Sequence, residues 1–347
     1  MRPSHIVVCA ALAALPGVAP GADRPDPAPI PPDYLLSFQP LPDILASPAH
    51  EVTTERVALG RTLFHDRRLS LNHDVSCADC HDLARGGADG RRVSIGHRRQ
   101  QGTRNSPTVF NAAAHLAQFW DGRAADVEEQ AEQPILNPVE MAMPDEARVV
   151  ATLRSMPGYR ALFERAFPGR EPALSYETLG LAIGAFERVL VTPSPFDAFL
   201  AGDEGAVSAE QRRGFLRFVE LGCAACHNGP GIGGHSFEVL GLIEAYPDQS
   251  DLGLYERTRL EADRMRFKTP GLRNVARTPP YFHDGRVASL AEAIERMAIH
   301  QLGIALEPDD ARVLGVFLES LSGEPPAEYL AVPPLPPSTE ETPEPRP

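Results

Sequence analysis

Two short cysteine motifs constrain this chain more than any other feature. The segment Cys77-Ala-Asp-Cys-His81 recurs as Cys223-Ala-Ala-Cys-His227, and this pattern is typical of covalent attachment of c-type haem. The cysteines Cys77, Cys80, Cys223 and Cys226 would bind the porphyrins, and the adjacent histidines would bind the irons. A zinc knuckle or a redox dithiol is the alternative, but no further cysteine completes a metal tetrahedron. The sequence therefore predicts two covalently bound haems.

The fifth cysteine, Cys9, lies in a segment with the features of a secretory signal peptide. Residues 1–22 combine an early arginine, an apolar run over Ile6–Leu15 and small residues around Ala19 and Ala22. We expect this segment to be cleaved, which leaves no cysteine for a disulfide. Because c-type haem is attached outside the bacterial cytoplasm, the predicted location is the periplasm.

Composition and charge exclude several classes of partner. The chain has 347 residues, 43% of them hydrophobic, which is enough for two modest domains. Its formal net charge of −14 argues against binding to nucleic acid or to an anionic membrane surface. No stretch after the leader approaches the roughly 20 apolar residues of a membrane span. A basic redox protein remains compatible as a partner.

Helical periodicity recurs along the chain and alternating strand patterns are sparse, so the predicted class is mainly α. A Pro-rich leader (25–48) and a Pro-rich tail (333–347) should be extended and wrap the surface. Capping boxes are expected at Ser208 with Gln211 and at Ser289 with Glu292. The predicted helices are Glu55–Phe64, Asp145–Leu153, Ser175–Leu190, Ser208–Leu221, Ser289–Ala298 and Asp309–Leu321.

The surroundings of the two motifs indicate an internal duplication. Each half has an apolar helix before its cysteine motif, an Arg-Asn pair after it, and then an aromatic turn that contains Asp-Gly-Arg. The matched segments are Gly60–Phe64 with Gly214–Phe218, Arg104-Asn105 with Arg273-Asn274, and Phe119–Arg123 with Tyr281–Arg286. The two halves therefore look like copies of one haem-binding unit.

The two copies differ in the residues beyond the turn. Glu140-Met141 lies there in the first half, whereas Met297 lies on a predicted helix of the second. A thioether ligand favours ferrous iron and raises the reduction potential, which suits the second haem to collecting electrons. The first haem would then be free to do chemistry. The alternative is that Met297 is a core methionine on an apolar helix face.

Several further segments are specific: Leu69-Ser70, Gly86–Asp89, Arg104–Thr108, Gln118–Arg123, Asn137–Met141 and Pro280–His283. On these segments, from about Leu59 through the tail, the chain resembles the bacterial di-haem cytochrome c peroxidases. The resemblance implies two cytochrome-c-like domains, each with one covalently attached c-type haem, over residues 23–190 and 191–330, followed by a tail at 331–347. It also implies reduction of hydrogen peroxide with electrons from a small cytochrome c or a cupredoxin, and a homodimer.

By this resemblance, His81 would be the proximal ligand of the peroxidatic haem and His97 its removable distal ligand. His227 and Met297 would hold the electron-accepting haem, whose reduction moves the loop that carries His97 and opens the first iron. Without the family, His97 would be interpreted as a solvated loop histidine.

The resemblance also assigns residues to the peroxide pocket. Glu140 matches the acid/base group that moves a proton during O–O cleavage, Gln130 a neighbour that orients peroxide, and Phe119 part of the pocket wall. Trp120, the only tryptophan, matches a residue between the haems, where a buried structural tryptophan is the alternative. On sequence alone, Glu140 would be a surface carboxylate and Gln130 a solvated helix residue.

A calcium ion is implied at the boundary between the halves. The matching positions are the side chain of Asn105 and the backbone carbonyls of Thr278 and Pro280, which are hard oxygen donors. Since these groups come from both halves, the ion would brace the interface.

Two other functions remain open. A pure electron-transfer di-haem cytochrome would leave Glu140 and Gln130 without a task. A di-haem enzyme that resembles the methylamine-utilisation type would oxidise a partner protein, and its second haem would carry a tyrosine where this chain has Met297.

Overall fold

A computed structural model of the chain describes residues 29–346, which are mostly helical. The predicted signal peptide and Cys9 lie outside the described residues. No helix within residues 29–346 is both long and apolar enough to cross a bilayer.

The six predicted helices are all present, with boundaries that differ by up to three residues. The helices of the first half are α1 (Pro32–Leu35), α2 (Thr54–Phe64), α3 (Cys77–Cys80), α4 (Val127–Leu136), α5 (Glu146–Arg154), α6 (Pro157–Ala166) and α7 (Tyr176–Glu187). Those of the second half are α8 (Pro195–Leu200), α9 (Ala209–Glu220), α10 (Tyr255–Thr258), α11 (Leu290–Met297), α12 (Pro308–Glu319) and α13 (Ala327–Leu330).

Shorter elements connect these helices. Strands β1 (Phe237–Val239) and β2 (Arg266–Lys268) form an antiparallel pair, and a π-helix (Ala298–Leu302) follows α11. The 3-10 turns are Arg67–Leu69, Leu83–Arg85, His97–Arg99, Ala112–Ala114, Cys223–Ala225, Glu261–Asp263 and Val275–Arg277.

The predicted capping boxes differ in their outcome. At the start of α9, Gln211 N donates to Ser208 Oγ (3.2 Å) and Ser208 N donates to Gln211 Oε1 (2.8 Å), which confirms the box. At the start of α11, Glu292 N donates to Ser289 Oγ. The Glu292 carboxylate instead accepts from Arg296 (2.9 Å). The second predicted capping box is therefore wrong, because the Glu292 side chain does not accept from Ser289 N. It forms an i,i+4 ion pair with Arg296 instead.

Two helix pairs cross at glycine in the same way. Gly60 of α2 lies against the backbone of Ala182 in α7, and Gly214 of α9 lies against the backbone of Val313 in α12. A β-carbon on either glycine would overlap the facing carbonyl oxygen. These equivalent crossings confirm the predicted match between Gly60–Phe64 and Gly214–Phe218.

Each pair of crossing helices builds its own hydrophobic core. The first core gathers side chains of α2, α5, α6 and α7, and Cys77 packs against it. The second gathers an aromatic cluster from α8, α9 and α12, against which Cys223 packs. Each cysteine motif therefore lies on the surface of one core.

Two asparagines in the left-handed conformation join the halves. Asn111 and Asn274 have φ of 60° and 61°, and each precedes a 3-10 turn. Both side-chain amides donate to the hydroxyl of Thr192, at 2.7 and 2.8 Å. Their side-chain oxygens accept equivalent bonds from Thr192 N and Gly323 N, both at 3.0 Å. Thr192 is thus a shared anchor for both copies.

This geometry corrects one predicted match. The structural equivalent of Asn274 is Asn111, so pairing Arg104-Asn105 with Arg273-Asn274 was wrong. The sequence match was based on a shared Arg-Asn dipeptide. In the structure, the equivalent residues are the two asparagines with left-handed backbone conformation, Asn111 and Asn274. Asn105 and Lys268 are instead equivalent, because each lies two residues before the proline of its half.

The aromatic turns are equivalent, as the duplication predicts. Phe119 and Phe282 have φ of 66° and 67°, so Trp120 corresponds to His283, and their rings meet edge-on with centroids 6.4 Å apart. Asn105 N donates to His283 O (2.7 Å), and Lys268 N donates to Trp120 O (2.8 Å). The two copies therefore face each other with approximate two-fold symmetry.

The two ends of the chain bind the halves from outside. In the leader, Leu41 N donates to Asp197 Oδ1 (2.7 Å). The tail returns to the first half, where Ser155 Oγ donates to Thr342 Oγ1 (3.0 Å) and Arg346 N donates to Leu71 O (2.9 Å). The described part of both segments is largely extended, as predicted, apart from the short helix α1.

We predict that Gly60→Ala and Gly214→Ala each lower the free energy of unfolding by about 1–3 kcal/mol, because the added methyl group forces the helices apart. Gly315→Ala, on the same helix α12 but with only ordinary contact at 3.9 Å, should instead stabilise by roughly 0.5–1 kcal/mol. Urea unfolding followed by circular dichroism measures all three. Wild-type stability of both Gly60→Ala and Gly214→Ala would contradict the close crossings.

Candidate functional site

The first cysteine motif forms one turn of helix, α3. Asp79 Oδ2 accepts from Ser76 N (2.8 Å) and Ser76 Oγ (2.7 Å), which fixes the start of the turn and directs Cys77 and Cys80 to one side. His81 N donates to Cys77 O (2.9 Å). The His81 Nδ1 atom lies 3.3 Å from Gly87 O, so Nε2 is the nitrogen left for a metal.

The second motif forms a 3-10 turn, Cys223–Ala225, with the same return bond from His227 N to Cys223 O (3.0 Å). The His227 Nδ1 atom is buried and makes no hydrogen bond of good geometry within residues 29–346. Burial lowers the pKa of His227 to about 4, against the opposing effect of the Ile232 and Pro270 carbonyl groups. His227 is therefore a neutral imidazole, the form that binds metal.

The donor set fits covalently attached iron porphyrin. All four motif cysteines are free of disulfide bonds. Burial raises the pKa of both Cys80 and Cys223 to about 11, whereas redox-active thiols have a lowered pKa. The geometry thus argues against a redox dithiol, and it places a buried imidazole directly after each thiol pair.

Glu140 lies in a segment folded back on the end of α4. Met141 N donates to Pro134 O and Met143 N donates to Ile135 O, while Asn137 Nδ2 donates to Glu140 Oε1 (2.8 Å). Burial raises the pKa of Glu140, and the Arg123 charge and the Asn137 bond partly offset this effect. Glu140 is thus a half-buried carboxyl whose pKa lies above that of an exposed glutamate.

Arg123 connects the other pocket residues and was missed in the sequence analysis as a functional side chain. Its guanidinium lies 3.3 Å above the centre of the Phe119 ring, and Arg123 Nε donates to Gln133 Oε1 (3.2 Å) on α4. Gln130 is half-buried on the same helix. The only sequence signal for Arg123 is its place in the duplicated turn.

The loop that carries His97 is docked on the Glu140 segment. His97 is buried, and its N–H donates to Glu140 O (2.7 Å). Gln100 Nε2 donates to Pro138 O (3.1 Å) in the same contact. The His97 Nδ1 atom is buried without a hydrogen-bond partner in the described part of the chain. The structure therefore brings the backbones of His97 and Glu140 together, although they are 43 residues apart in the chain.

Trp120 and Met297 pack against one small apolar cluster, formed by Leu240, Tyr246, Met265 and Phe267. Trp120 Nε1 donates to Asn105 O (2.9 Å). Met297 ends α11, directly before the π-helix, and π turns in helices are frequent at functional sites. The structure therefore brings together a residue of the first half and a residue of the second that were predicted separately.

A buried ion-pair network lies beside Trp120. Arg104 Nε and Nη2 donate to Asp251 (2.6 and 2.8 Å), and Arg104 Nη1 donates to Asp121 Oδ2 (2.6 Å). One guanidinium therefore neutralises a carboxylate from each half. No local sequence signal pairs Asp251 with a residue 147 positions earlier, so this network was not predicted.

The predicted calcium residues all lie at the boundary of the two halves. Asn105 Nδ2 donates to Arg91 O (2.8 Å), which leaves its Oδ1 atom as the free oxygen donor. Thr278 and the adjoining Pro279 share a cavity wall with Gly86 and Gly90 of the first half. The structure thus places the Asn105 side chain and the Thr278–Pro280 segment beside the same loop, residues 86–92.

A different group of possible metal ligands, His50, Asp126 and Glu128, lies elsewhere. Both Glu128 oxygens accept from Arg188, at 2.7 and 2.8 Å. This buried ion pair already occupies the carboxylate, so the group is a poor metal site.

Comparison with known proteins relates the chain to di-haem enzymes. Residues 54–205 match the model of the family described as di-haem cytochrome c peroxidase. The chain is 45% identical to cytochrome c551 peroxidase of Pseudomonas aeruginosa over 316 residues, covering 89% of this chain and 90% of the relative. It is 37% identical to methylamine utilization protein MauG of Methylorubrum extorquens over 302 residues, 83% of each chain. A crystal structure of a MauG-like protein associated with microbial copper homeostasis superposes with a TM-score of 0.75 and 29% identity, covering 84% of this chain and 97% of that one.

We predict that Arg104→Met lowers the free energy of unfolding by about 3–5 kcal/mol at pH 7, because it leaves buried carboxylates uncompensated. Burial alone would raise the pKa of Asp251, but the hydrogen bonds and charge of Arg104 outweigh burial and lower it. This stabilisation is therefore present above the unfolded Asp pKa of about 3.9 and is lost as pH falls through the folded value.

Urea unfolding at pH 7 and at pH 3 measures the difference, which should shrink at the lower pH. The matched control is Arg286→Met, which removes an exposed ion pair with Asp248 and should cost at most about 1 kcal/mol. Equal losses for Arg104→Met at both pH values would show that the charge of Arg104 is not what stabilises the fold.

Proposed function

The chain belongs to the di-haem cytochrome c peroxidase family, and we propose that it reduces hydrogen peroxide to water with electrons from a small periplasmic cytochrome c or cupredoxin. Each turnover consumes two electrons and two protons and forms two water molecules. Electrons enter at the C-terminal haem, held by residues 191–330, and pass to the N-terminal haem, held by residues 23–190. Residues 1–22 are the signal peptide that directs the chain to the periplasm, and residues 331–347 are the tail.

The contact between His97 and Glu140 carries this proposal. The loop of the proposed distal ligand docks on the segment of the proposed acid/base carboxyl, because the backbone N–H of His97 donates to the backbone carbonyl of Glu140. The bound haems supply electron storage and the iron at which the O–O bond is reduced. A pure electron-transfer cytochrome has no use for this arrangement.

Glu140 moves the proton that lets the distal oxygen of peroxide leave as water. Burial raises its pKa, which favours a proton on this carboxyl relative to an exposed glutamate and suits it to acid/base catalysis. The Asn137 amide fixes the orientation of the carboxyl. The Arg123 charge partly offsets the rise in the pKa of Glu140.

Gln130 and Phe119 shape the pocket around that proton transfer. Gln130 donates an amide hydrogen bond that orients peroxide, and the Phe119 ring excludes bulk water. The Arg123 guanidinium above the Phe119 ring holds this wall in place. Arg123 is thus a positioning residue for both the carboxyl and the aromatic wall.

His227 and Met297 hold the haem that receives electrons, and Trp120 lies on the path to the other haem. The packing of Trp120 and Met297 on one apolar cluster supports this path. The bond from Trp120 Nε1 to Asn105 O ties the ring to the first half. Trp120 thus contacts both copies of the unit.

A calcium ion at Asn105 Oδ1 and the carbonyl oxygens of Thr278 and Pro280 would brace the boundary between the halves, with water completing its shell. The placement of these groups beside loop 86–92 supports the site. We further propose that the protein is a homodimer.

Oxidation of a partner protein, as in the methylamine-utilisation type, is the second candidate, since relatives of that name match most of the chain. Met297 favours peroxide reduction, because the rival type carries tyrosine at this position. Met297→Tyr should shift the chemistry toward the rival. An unchanged spectrum and unchanged turnover in this variant would show that Met297 is not the ligand.

One experiment tests activity, activation and metal dependence together. Peroxide consumption by the purified protein is followed with reduced cytochrome c, before and after ascorbate and with or without calcium. Rapid turnover by the half-reduced protein supports the proposal. Absence of turnover under every condition, with both haems present, would refute it.

We predict that Glu140→Gln lowers kcat for peroxide about 10²–10⁴-fold, because the amide cannot relay a proton. Both haem spectra should remain those of the wild type. The matched control is Glu164→Gln on the exposed face of α6, which should keep full activity. A Glu140→Gln variant with near wild-type kcat would exclude Glu140 as the acid/base group.

We predict that Gly96→Ala activates the oxidised enzyme without prior reduction. A β-carbon at Gly96 would overlap Val139 O and the Glu140 backbone, so the loop that carries His97 cannot dock. A docking loss of about 1.4 kcal/mol would raise the open population tenfold. Peroxide turnover without ascorbate should therefore rise about tenfold, with more high-spin absorption.

The control for this variant is Gly102→Ala in the same loop, where the β-carbon makes only ordinary contact, 3.6 Å from Ser94 O. Its activation by ascorbate should match that of the wild type. If Gly96→Ala shows the same dependence on ascorbate as Gly102→Ala, loop docking does not control the site.

A further inference from the structure

Lys268 is the only lysine in a chain with 33 lysine and arginine residues. Every other basic position uses arginine, including the exposed ones. Lys268 is only 6% exposed. Arginine stays charged at any accessible pH, whereas a desolvated lysine can release its proton. The chain therefore has its one lysine at a buried position, where its charge can change near neutral pH.

The Lys268 amine contacts a histidine and has no carboxylate partner. Lys268 Nζ lies 2.9 Å from His115 Nδ1, and no ion pair to Lys268 occurs among residues 29–346. Burial lowers the pKa of Lys268 to about 7. Burial, with the Lys268 charge, also holds the pKa of His115 well below 6.5. Of these two groups, Lys268 is the one that gains a proton near neutral pH.

His115 sits in a cradle of glycines from the second half, although it belongs to the first. A β-carbon at Gly234 or Gly271 would overlap the His115 ring, and Gly231 lies close beside it. Gly231 and Gly234 follow the second cysteine motif directly. A histidine of one half is thus inserted into the haem-binding loop of the other.

The charged neighbours of the pair do not neutralise it. His235 is exposed and its charge also disfavours protonation of His115. On β1, Glu238 pairs with Phe267, and its charge acts on Cys226. Asp121, next to Trp120, is held by Arg104. A proton on Lys268 therefore adds a net positive charge at this point.

The position of Lys268 links this charge to the second haem. Pro270, two residues further on, places its carbonyl near His227, and Phe267 packs in the cluster with Trp120 and Met297. Lys268 N donates to Trp120 O. In the first half the equivalent position is Asn105, a neutral amide. The second copy thus has an ionisable amine at a position where the first copy has a neutral amide.

We propose that Lys268, with His115, is a proton-exchange site that takes up one proton from solvent when the C-terminal haem accepts one electron. The donor protein loses the electron, the ferric iron becomes ferrous, and the Lys268 amine becomes an ammonium held by His115 Nδ1. A buried positive charge stabilises the added electron, and the electron stabilises the charge. This inference rests on the proposed assignment of His227 and Met297 to that haem.

Because Lys268 is the only lysine in the chain, a signal from labelled lysine reports the titration of Lys268 alone. Biosynthetic incorporation of [ε-¹³C]lysine into the holoenzyme should give a single Cε resonance. We expect it to titrate with a pKa near 7 in the oxidised protein and at a higher pH in the half-reduced protein. A pKa above about 10, as for a solvated lysine or one paired with a haem propionate, would overturn the proposal. So would the same pKa in both redox states.

Variants supply a second, independent measurement. Spectroelectrochemical titration of the C-terminal haem should show a wild-type potential that falls as pH rises from 6 to 8. Lys268→Met should have a lower potential without this part of the pH dependence. Lys268→Arg, which stays charged, should have a high potential that is flat over the same range. A wild-type slope in Lys268→Met would overturn the proposal.

Arg286→Met, at an exposed position, is the control and should keep the wild-type slope. Haem absorption bands and the unfolding midpoint confirm that each variant is folded. The resonance of Lys268 and the potential of the haem are both measured without peroxide. If the protein does not reduce peroxide, this test of Lys268 is still valid. If Lys268 does not exchange a proton, peroxide turnover is still tested by its own assay.

Discussion

The reciprocal pair of backbone hydrogen bonds between the halves is the constraint on which the site depends. Asn105 N donates to His283 O and Lys268 N donates to Trp120 O, and the shared hydroxyl of Thr192 anchors both copies behind this contact. Buried donors and acceptors that lose their partners are costly, so the two copies have one favourable mutual arrangement. That arrangement places Trp120 in the apolar cluster of Met297, and it brings the predicted calcium ligands from both halves to one boundary.

Much of the fold follows from the sequence because its signals are local. The cysteine motifs, six helices and the duplicated turn all rest on spacing within a few residues, and the structure reproduces them. Helix α4 was missed because Pro134 interrupts its pattern, although within the last turn a proline removes only one helical bond. The pairing of Asn105 with Asn274 was wrong because the equivalence depends on a left-handed backbone. Arg104 and Arg123 were missed since their partners are set by tertiary packing.

The duplicated frame also shows where the two halves acquire different chemistry. Trp120 is equivalent to His283, and Asn105 is equivalent to Lys268. The first half therefore has an aromatic ring and an amide at the two positions where the second half has two ionisable side chains. Buried ionisable groups are destabilising unless they are compensated. Their location at the boundary with the second copy therefore fits the proposed electron and proton handling better than a role in stability.

The loop that carries His97 has the energetics of a switch. Arg98 and Arg99 both adopt positive φ, at 54° and 60°, which costs roughly 1–2 kcal/mol for each non-glycine residue. The bonds of His97 N and Gln100 Nε2 to the Glu140 segment contribute a similar total, at about 1 kcal/mol each. Docking is thus nearly balanced by backbone strain, so the proposed bond from His97 to iron would decide the closed state. In that proposal, reduction of the C-terminal haem would need to weaken this bond only slightly to release the loop.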